Sequence, residues 1–166
     1  MRIKYETGDM FAGPHRTIIH GCNAQGRMGS GVAKIVREQF PEAYAAYIAA
    51  YKSAGRLDLG AVIWAESNGC LIGNAITQDH YGNDGLRYVD YEAVRDAMKV
   101  VNARFAPAGG AVLTDIYDVV TDVHVAMPLI GAGLGGGHWP TIAAIIEAES
   151  TNFQPVVYTL DGKIPV

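Results

Sequence analysis

Apolar and polar positions alternate over residues 2–7 and the alternation stops at Gly8-Asp9, which predicts a strand closed by a turn. Residues 17–22 are a short apolar run behind Pro14 and read as a buried strand. Val32, Ile35, Val36 and Phe40 then recur at helical spacing over 31–40, until Pro41 interrupts the pattern and serves as a first-turn residue of a second helix, reaching Ser53. Two apolar runs, 61–65 and 70–76, flank Glu66-Ser67-Asn68-Gly69 and predict a hairpin. Residues 77–88 are polar and glycine-bearing, as in an exposed loop. Asp90 is suited to N-cap a helix over 91–105, where Val94, Met98 and Val101 share a face. A surface excursion is expected at 107–118, then a strand over 119–127, a helix over 140–149 and a last strand over 156–160. This order predicts an α/β fold of three layers, α/β/α, around a central mixed, mostly parallel sheet in a single domain spanning 1–166.

Composition agrees with a full core: 166 residues, 49% hydrophobic and 18% charged. The net charge of −4 and the absence of any basic run argue against a polynucleotide as the main partner. Any phosphate must then be held mainly by peptide N–H groups, with Arg27 the nearest candidate side chain. Cys22 and Cys70 are too few for a disulfide framework or a zinc site and read as buried thiols. The first residues lack an apolar signal region and no uncharged stretch is fit to span a bilayer. The expectation is a reducing, cytoplasmic setting and a monomer, with no metal and no cofactor.

The twenty glycines concentrate in two loops, Asn23-Ala24-Gln25-Gly26-Arg27-Met28-Gly29-Ser30-Gly31 and Ile130-Gly131-Ala132-Gly133-Leu134-Gly135-Gly136-Gly137. Each follows a strand-like run and leads into a helix, the arrangement in which backbone N–H groups hold an anion. The second loop satisfies G-x-G-x-x-G, yet too little chain follows it to build a dinucleotide-binding unit. A Walker loop fails because Gly137-His138 stand where Lys and Ser or Thr are required. A glycine turn that merely packs a helix on a sheet explains one loop well and two poorly.

Together the motifs resemble those of macrodomains, the ADP-ribose-binding fold. The resemblance rests on Gly8-Asp9-Met10-Phe11, on His20-Gly21-Cys22-Asn23 leading to residues 26–33, on Met127-Pro128-Leu129-Ile130-Gly131-Ala132-Gly133-Leu134, and on Val157-Tyr158-Thr159-Leu160. It is nearest the branch of ADP-ribose-1''-phosphate phosphatases and terminal ADP-ribose glycohydrolases. The resemblance implies that Asp9 accepts a hydrogen bond from the adenine amine, with Met10 beside it, and that Tyr158 packs on the base. The loop 131–137 would hold the diphosphate and the loop 26–31 would wrap the distal ribose, with Asn23 as a hydroxyl ligand and a second candidate for the chemistry. The ligand-binding residues implied along these segments are Cys22, Asn23, Arg27, Met28, Gly29, Ser30, Gly31, Val32, Gln78, Pro128, Ile130, Gly131, Ala132, Gly133, Leu134, Gly135 and Gly136.

For the reaction, the glycohydrolases of this branch use a lysine after the strand ending Ile76-Thr77 and in some members an aspartate after the second loop's Gly-x-Gly-Leu. This chain has Gln78 and Gly135 there, so a lysyl intermediate is not expected. His20 matches a histidine of the phosphatases and has the side chain to assist water attack on a ribose phosphate, or else is a satisfied buried histidine behind the loop. Asp79, His80 and His138 are secondary candidates, Lys34 is expected to face solvent and Trp139 to pack over the loop. The leading expectation is hydrolysis of ADP-ribose 1''-phosphate to ADP-ribose and phosphate, without metal. The alternatives are a non-catalytic ADP-ribose reader or scavenger, and a lysine-independent hydrolase that removes ADP-ribose from protein or nucleic acid. Nucleic acid would then enter only as an ADP-ribosylated substrate.

Overall fold

Strands and helices follow one another in the order the pattern predicts. A computed structural model describes residues 1–107 and 123–166 of the chain. Its elements are β1 (Lys4–Thr7), β2 (Thr17–Asn23), α1 (Gly31–Gln39), α2 (Pro41–Ala54), β3 (Val62–Ser67), β4 (Cys70–Gln78), α3 (Tyr91–Arg104), β5 (His124–Met127), α4 (Trp139–Glu149) and β6 (Gln154–Thr159). The excursion expected at 107–118 lies, beyond Pro107, outside the described residues, as does the start of the strand expected from 119.

Local chemistry sets the boundaries. Asp90 Oδ1 accepts the Glu92 and Ala93 N–H groups at 2.8 and 3.0 Å, which opens α3. Gly55, at φ 77°, closes α2 with its N–H on the Tyr51 carbonyl at 2.7 Å. The hairpin connection is tighter than expected. Ser67 pairs with Cys70, so only Asn68 and Gly69 turn, at φ 49° and 71°. Asn-Gly tolerates the left-handed region at both positions, and both strands therefore run on to the turn.

The six strands lie in the order β1-β6-β5-β2-β4-β3. All pairs are parallel except β3 with β4, as an α/β chain with one hairpin dictates. Alternation sends Ile18, Ile72 and Ala126 toward Val36 and Phe40 on one face, while Ile19, Ala75 and Met127 meet Val94, Met98, Ile142 and Ile146 on the other. Thus α1 and α2 cover one side and α3 and α4 the other, giving three layers.

The topology also selects where a ligand belongs. From β2 the chain crosses toward β4, whereas from β5 it crosses toward β6, so the direction of winding reverses between two adjacent strands. Ligands of open α/β sheets bind beyond the carboxyl ends of strands at such a point. Both glycine loops leave the sheet there.

Candidate functional site

Loop one, which leaves β2, is tied into shape by a single amide. Asn23 Oδ1 accepts the Gln25 and Arg27 N–H groups at 3.0 and 3.2 Å, and Asn23 Nδ2 donates to the Arg27 carbonyl at 2.7 Å. The buried Tyr47 hydroxyl supports it by donating to the Asn23 carbonyl at 2.7 Å and accepting the Arg27 N–H at 3.1 Å. Burial raises the Tyr47 phenol far above its ordinary pKa, so it stays protonated and able to donate. Asn23→Ala removes three side-chain hydrogen bonds at once and is expected to cost about 2 kcal/mol of stability. Urea unfolding checks the effect. Unchanged stability would show that other contacts shape the loop.

A second anchor holds loop one to β4. Gln25 Nε2 donates to Asp79 Oδ1 at 2.9 Å, and Arg56 grips the same carboxylate through Nε and Nη2 at 3.0 and 2.9 Å. The Arg56 hydrogen bond holds the Asp79 carboxyl below its usual range, so this carboxylate is committed to structure. At the end of β4 the ladder skips Thr77, pairing Asn23 with Gln78, and this bulge brings Gln78 to the site.

Loop two, which leaves β5, folds on itself through Ala132 N–H to the Leu129 carbonyl, Gly136 N–H to Gly133 and Gly137 N–H to Gly131, at 3.0, 3.0 and 2.8 Å. Its glycines have different reasons to be glycine. Gly131 has φ 72°, and a Cβ there would lie 2.5 Å from Val89 Cγ2. A Cβ at Gly133, in contrast, would meet nothing within 4 Å. The N–H groups of Gly133, Leu134 and Gly135 donate to nothing among the described residues. Helix α1 likewise starts at Ser30 without a side-chain cap, leaving its first-turn N–H groups free.

These two sets of N–H groups line one cavity of about 1060 Å³. Cys22, Asn23, Arg27, Met28, Gly29, Ser30, Gly31, Val32 and Gln78 line it from the β2 and β4 side, and Pro128, Ile130, Gly131, Gly133, Leu134 and Gly135 from loop two. Tyr158 closes the far end, with Thr159, Leu160, Asp161 and Lys163. Burial pushes the Cys22 thiol well above its ordinary pKa, so it stands in the wall as a neutral group.

A model of the Macro domain family matches residues 19–146 of the chain. The chain belongs to the Macro domain family. The ADP-ribose 1''-phosphate phosphatase of Candida glabrata is 26% identical to this macrodomain over 95% of the chain and 98% of the relative. ADP-ribose glycohydrolase OARD1 of Bos taurus is 29% identical over 96% of the chain and 92% of the relative. Among solved structures, a protein of unknown function from Bacteroides thetaiotaomicron superposes with a TM-score of 0.77 at 31% identity, covering 96% of this chain and 99% of that one.

Five residues expected at the macrodomain site lie off the cavity wall. His20 is the most consequential of them. It faces the α2 side of the sheet, fully buried, with Nε2 2.7 Å from Asn74 Oδ1, while Asn74 Nδ2 donates to the Ala43 carbonyl of α2 at 3.0 Å. An amide oxygen only accepts, so Nε2 carries the proton. Burial lowers the His20 pKa to about 4, the Asn74 bond opposing that shift in part. His20 is thus a neutral core residue that does not line the cavity. Met10 is buried against Ile18, Val36 and Phe40, Ala132 packs on the core beneath loop two, and a Cβ at Gly136 would lie 2.6 Å from the Leu86 carbonyl oxygen. Asp9 is exposed at the rim, its Oδ1 on the Phe11 N–H at 2.9 Å, and the chain joins it to the cavity wall through Gly8 N–H on the Thr159 carbonyl at 2.9 Å.

Of the secondary candidates, His138 caps α4 and accepts or donates through Nδ1 at Thr141 Oγ1, 3.0 Å away, and neither it, His80 nor Lys34 lines the cavity. Trp139 is buried as packing, its Nε1 donating to Tyr5 Oη at 3.2 Å. The wall also holds residues the sequence did not single out, chiefly Arg37 of α1, Tyr44 of α2, and Tyr81 and Asn83 of the loop after β4. Ala33 and Arg37 are one helical turn apart, which marks the face of α1 that reaches the cavity, but Tyr44 carries no local signal.

Proposed function

We propose that the cavity binds ADP-ribose and that the protein hydrolyses ADP-ribose 1''-phosphate to ADP-ribose and phosphate. The observation that carries the binding step is the convergence of unpaired N–H groups from both glycine loops on one space. Loop two takes the diphosphate and loop one encloses the distal ribose, where the remaining N–H of the Asn23 amide is available to a ribose hydroxyl. The base lies toward Tyr158 and Asp9. The phosphatase named among the relatives, similar over nearly its whole length, supports the choice of substrate.

In this reaction water attacks phosphorus, the bond from phosphorus to O1'' breaks and O1'' takes a proton. Among the described residues, the cavity wall contains no histidine, and its carboxylate and lysine are Asp161 and Lys163, paired at 3.1 Å beyond Tyr158. Gln78 supplies an amide where a lysine would be needed for a lysyl intermediate, and Gly135 supplies no carboxylate. The leaving oxygen therefore takes its proton from water or from a phenol of the wall, Tyr44 or Tyr81, and turnover is slow. Release of inorganic phosphate from ADP-ribose 1''-phosphate tests the activity.

The burial of His20 favours a second reading, a non-catalytic ADP-ribose reader, which needs the same loops and no acid or base. Calorimetry that shows ADP-ribose binding without turnover of any ADP-ribosyl substrate selects it. Under either reading Asp9→Ala removes a charged acceptor for the adenine amine and is expected to weaken ADP-ribose binding about tenfold. Equal titration curves for the variant and the parent would remove Asp9 from recognition.

A further inference from the structure

Charge is distributed unevenly between this chain and its cavity. The protein has a net charge of −4, yet the charged side chains on the cavity wall are Arg27, Arg37, Lys163 and Asp161. Lys163 and Asp161 pair with each other at 3.1 Å, which leaves two guanidinium groups at the loop-one end. Arg27 makes no ion pair among the described residues, and Arg37 Nη2 is 3.7 Å from Glu38 Oε1, beyond hydrogen-bond distance. The chain between them carries Gly29 and Ser30 and the uncapped start of α1, and Tyr44 of α2 lines the same wall.

We infer that Arg27 and Arg37 form a second anion subsite, separate from loop two, that selects ADP-ribose derivatives carrying a phosphate group on the C1'' side of the distal ribose. This rests on the proposed placement of the distal ribose at loop one. Guanidinium groups match phosphate oxygens in paired hydrogen bonds, and the one carboxylate paired with either of them, Glu38 with Arg37, stands at 3.7 Å in a loose, half-exposed ion pair. The shared chemistry is phosphate, available from a terminal monoester or from the phosphodiesters of an ADP-ribosylated nucleotide strand.

The test is competition against a fluorescent ADP-ribose, read before turnover, for four compounds: ADP-ribose, ADP-ribose 1''-phosphate, ADP-ribose joined through C1'' to a short oligonucleotide, and ADP-ribose joined to an uncharged serine peptide. The expected result is a preference of about tenfold over ADP-ribose for a phosphate-bearing compound, none for the peptide conjugate, and a decline of the preference with added salt. Preference for the 1''-phosphate alone identifies a monoester site, and preference shared by the oligonucleotide identifies a phosphodiester site. In Arg37→Gln the ratio of the two dissociation constants falls toward one, and Arg27→Gln lowers it in the same sense. Equal affinities for all four compounds, or a preference that survives both substitutions, overturns the subsite while leaving ADP-ribose binding intact. Failure of ADP-ribose itself to compete overturns the functional proposal as well.

Discussion

Gly133→Val is expected to reduce ADP-ribose affinity more than roughly a hundredfold while the protein unfolds at nearly its original temperature. Gly133 lines the cavity, and a Cβ there would touch no protein atom within 4 Å, so the fold has no reason to object. The added branches instead occupy space that the diphosphate needs beside the free N–H groups of Gly133, Leu134 and Gly135. Losing two hydrogen bonds to charged oxygens amounts to about 3 kcal/mol or more, which is the expected factor. Gly135→Val provides the contrast. A Cβ at Gly135 lies 2.7 Å from the Gly131 carbonyl oxygen, so that variant should lose stability along with affinity. Calorimetric titration and thermal unfolding of both variants separate the effects, and full affinity in a folded Gly133→Val would displace the diphosphate from loop two.

Acid is expected to weaken the fold through His20. Its folded pKa of about 4 lies below the ordinary value of 6.5 because burial penalises the imidazolium. Between those values the unfolded chain binds a proton that the folded chain refuses, so stability falls as pH drops from 6.5 toward 4. The full difference amounts to about 3 kcal/mol, at about 1.4 kcal/mol per pKa unit. The chain has four other histidines, so the informative quantity is the difference from His20→Leu, whose stability should change less between pH 7 and pH 4.5. Parallel urea-unfolding curves for the two proteins across that window would show that His20 is not held neutral. For the same reason, any phosphate release should lack an acid limb belonging to His20 near pH 6.5.

The sequence conveys the order of elements because that depends on local periodicity and turn chemistry: Pro41 at the junction of α1 and α2, Asp90 at the start of α3, and Asn68-Gly69 in the hairpin. The two glycine loops are legible for the same reason, and most of their flanking residues meet on one cavity wall. What strand periodicity leaves open is depth. His20 alternates with Ile19 as any strand residue does, and only the seating of α2, through Asn74 and the Ala43 carbonyl, shows that its face is sealed. Individual glycines are equally mute in sequence. Gly131 is confined by Val89, some forty positions away, while Gly133 two residues on is unconfined. Arg37 and Tyr44 reach the cavity through the packing of α1 and α2, a tertiary relation with no motif to announce it.

The central claim is that two loops on adjacent parallel strands hold the two ends of one ligand's diphosphate and ribose. A crystal structure of the complex with ADP-ribose tests it most directly. The account predicts diphosphate oxygens within hydrogen-bond distance of the Gly133, Leu134 and Gly135 N–H groups, with the distal ribose beneath Gly29–Gly31 and the base at Tyr158. ADP-ribose bound away from loop two, or with its base under loop one, would contradict it.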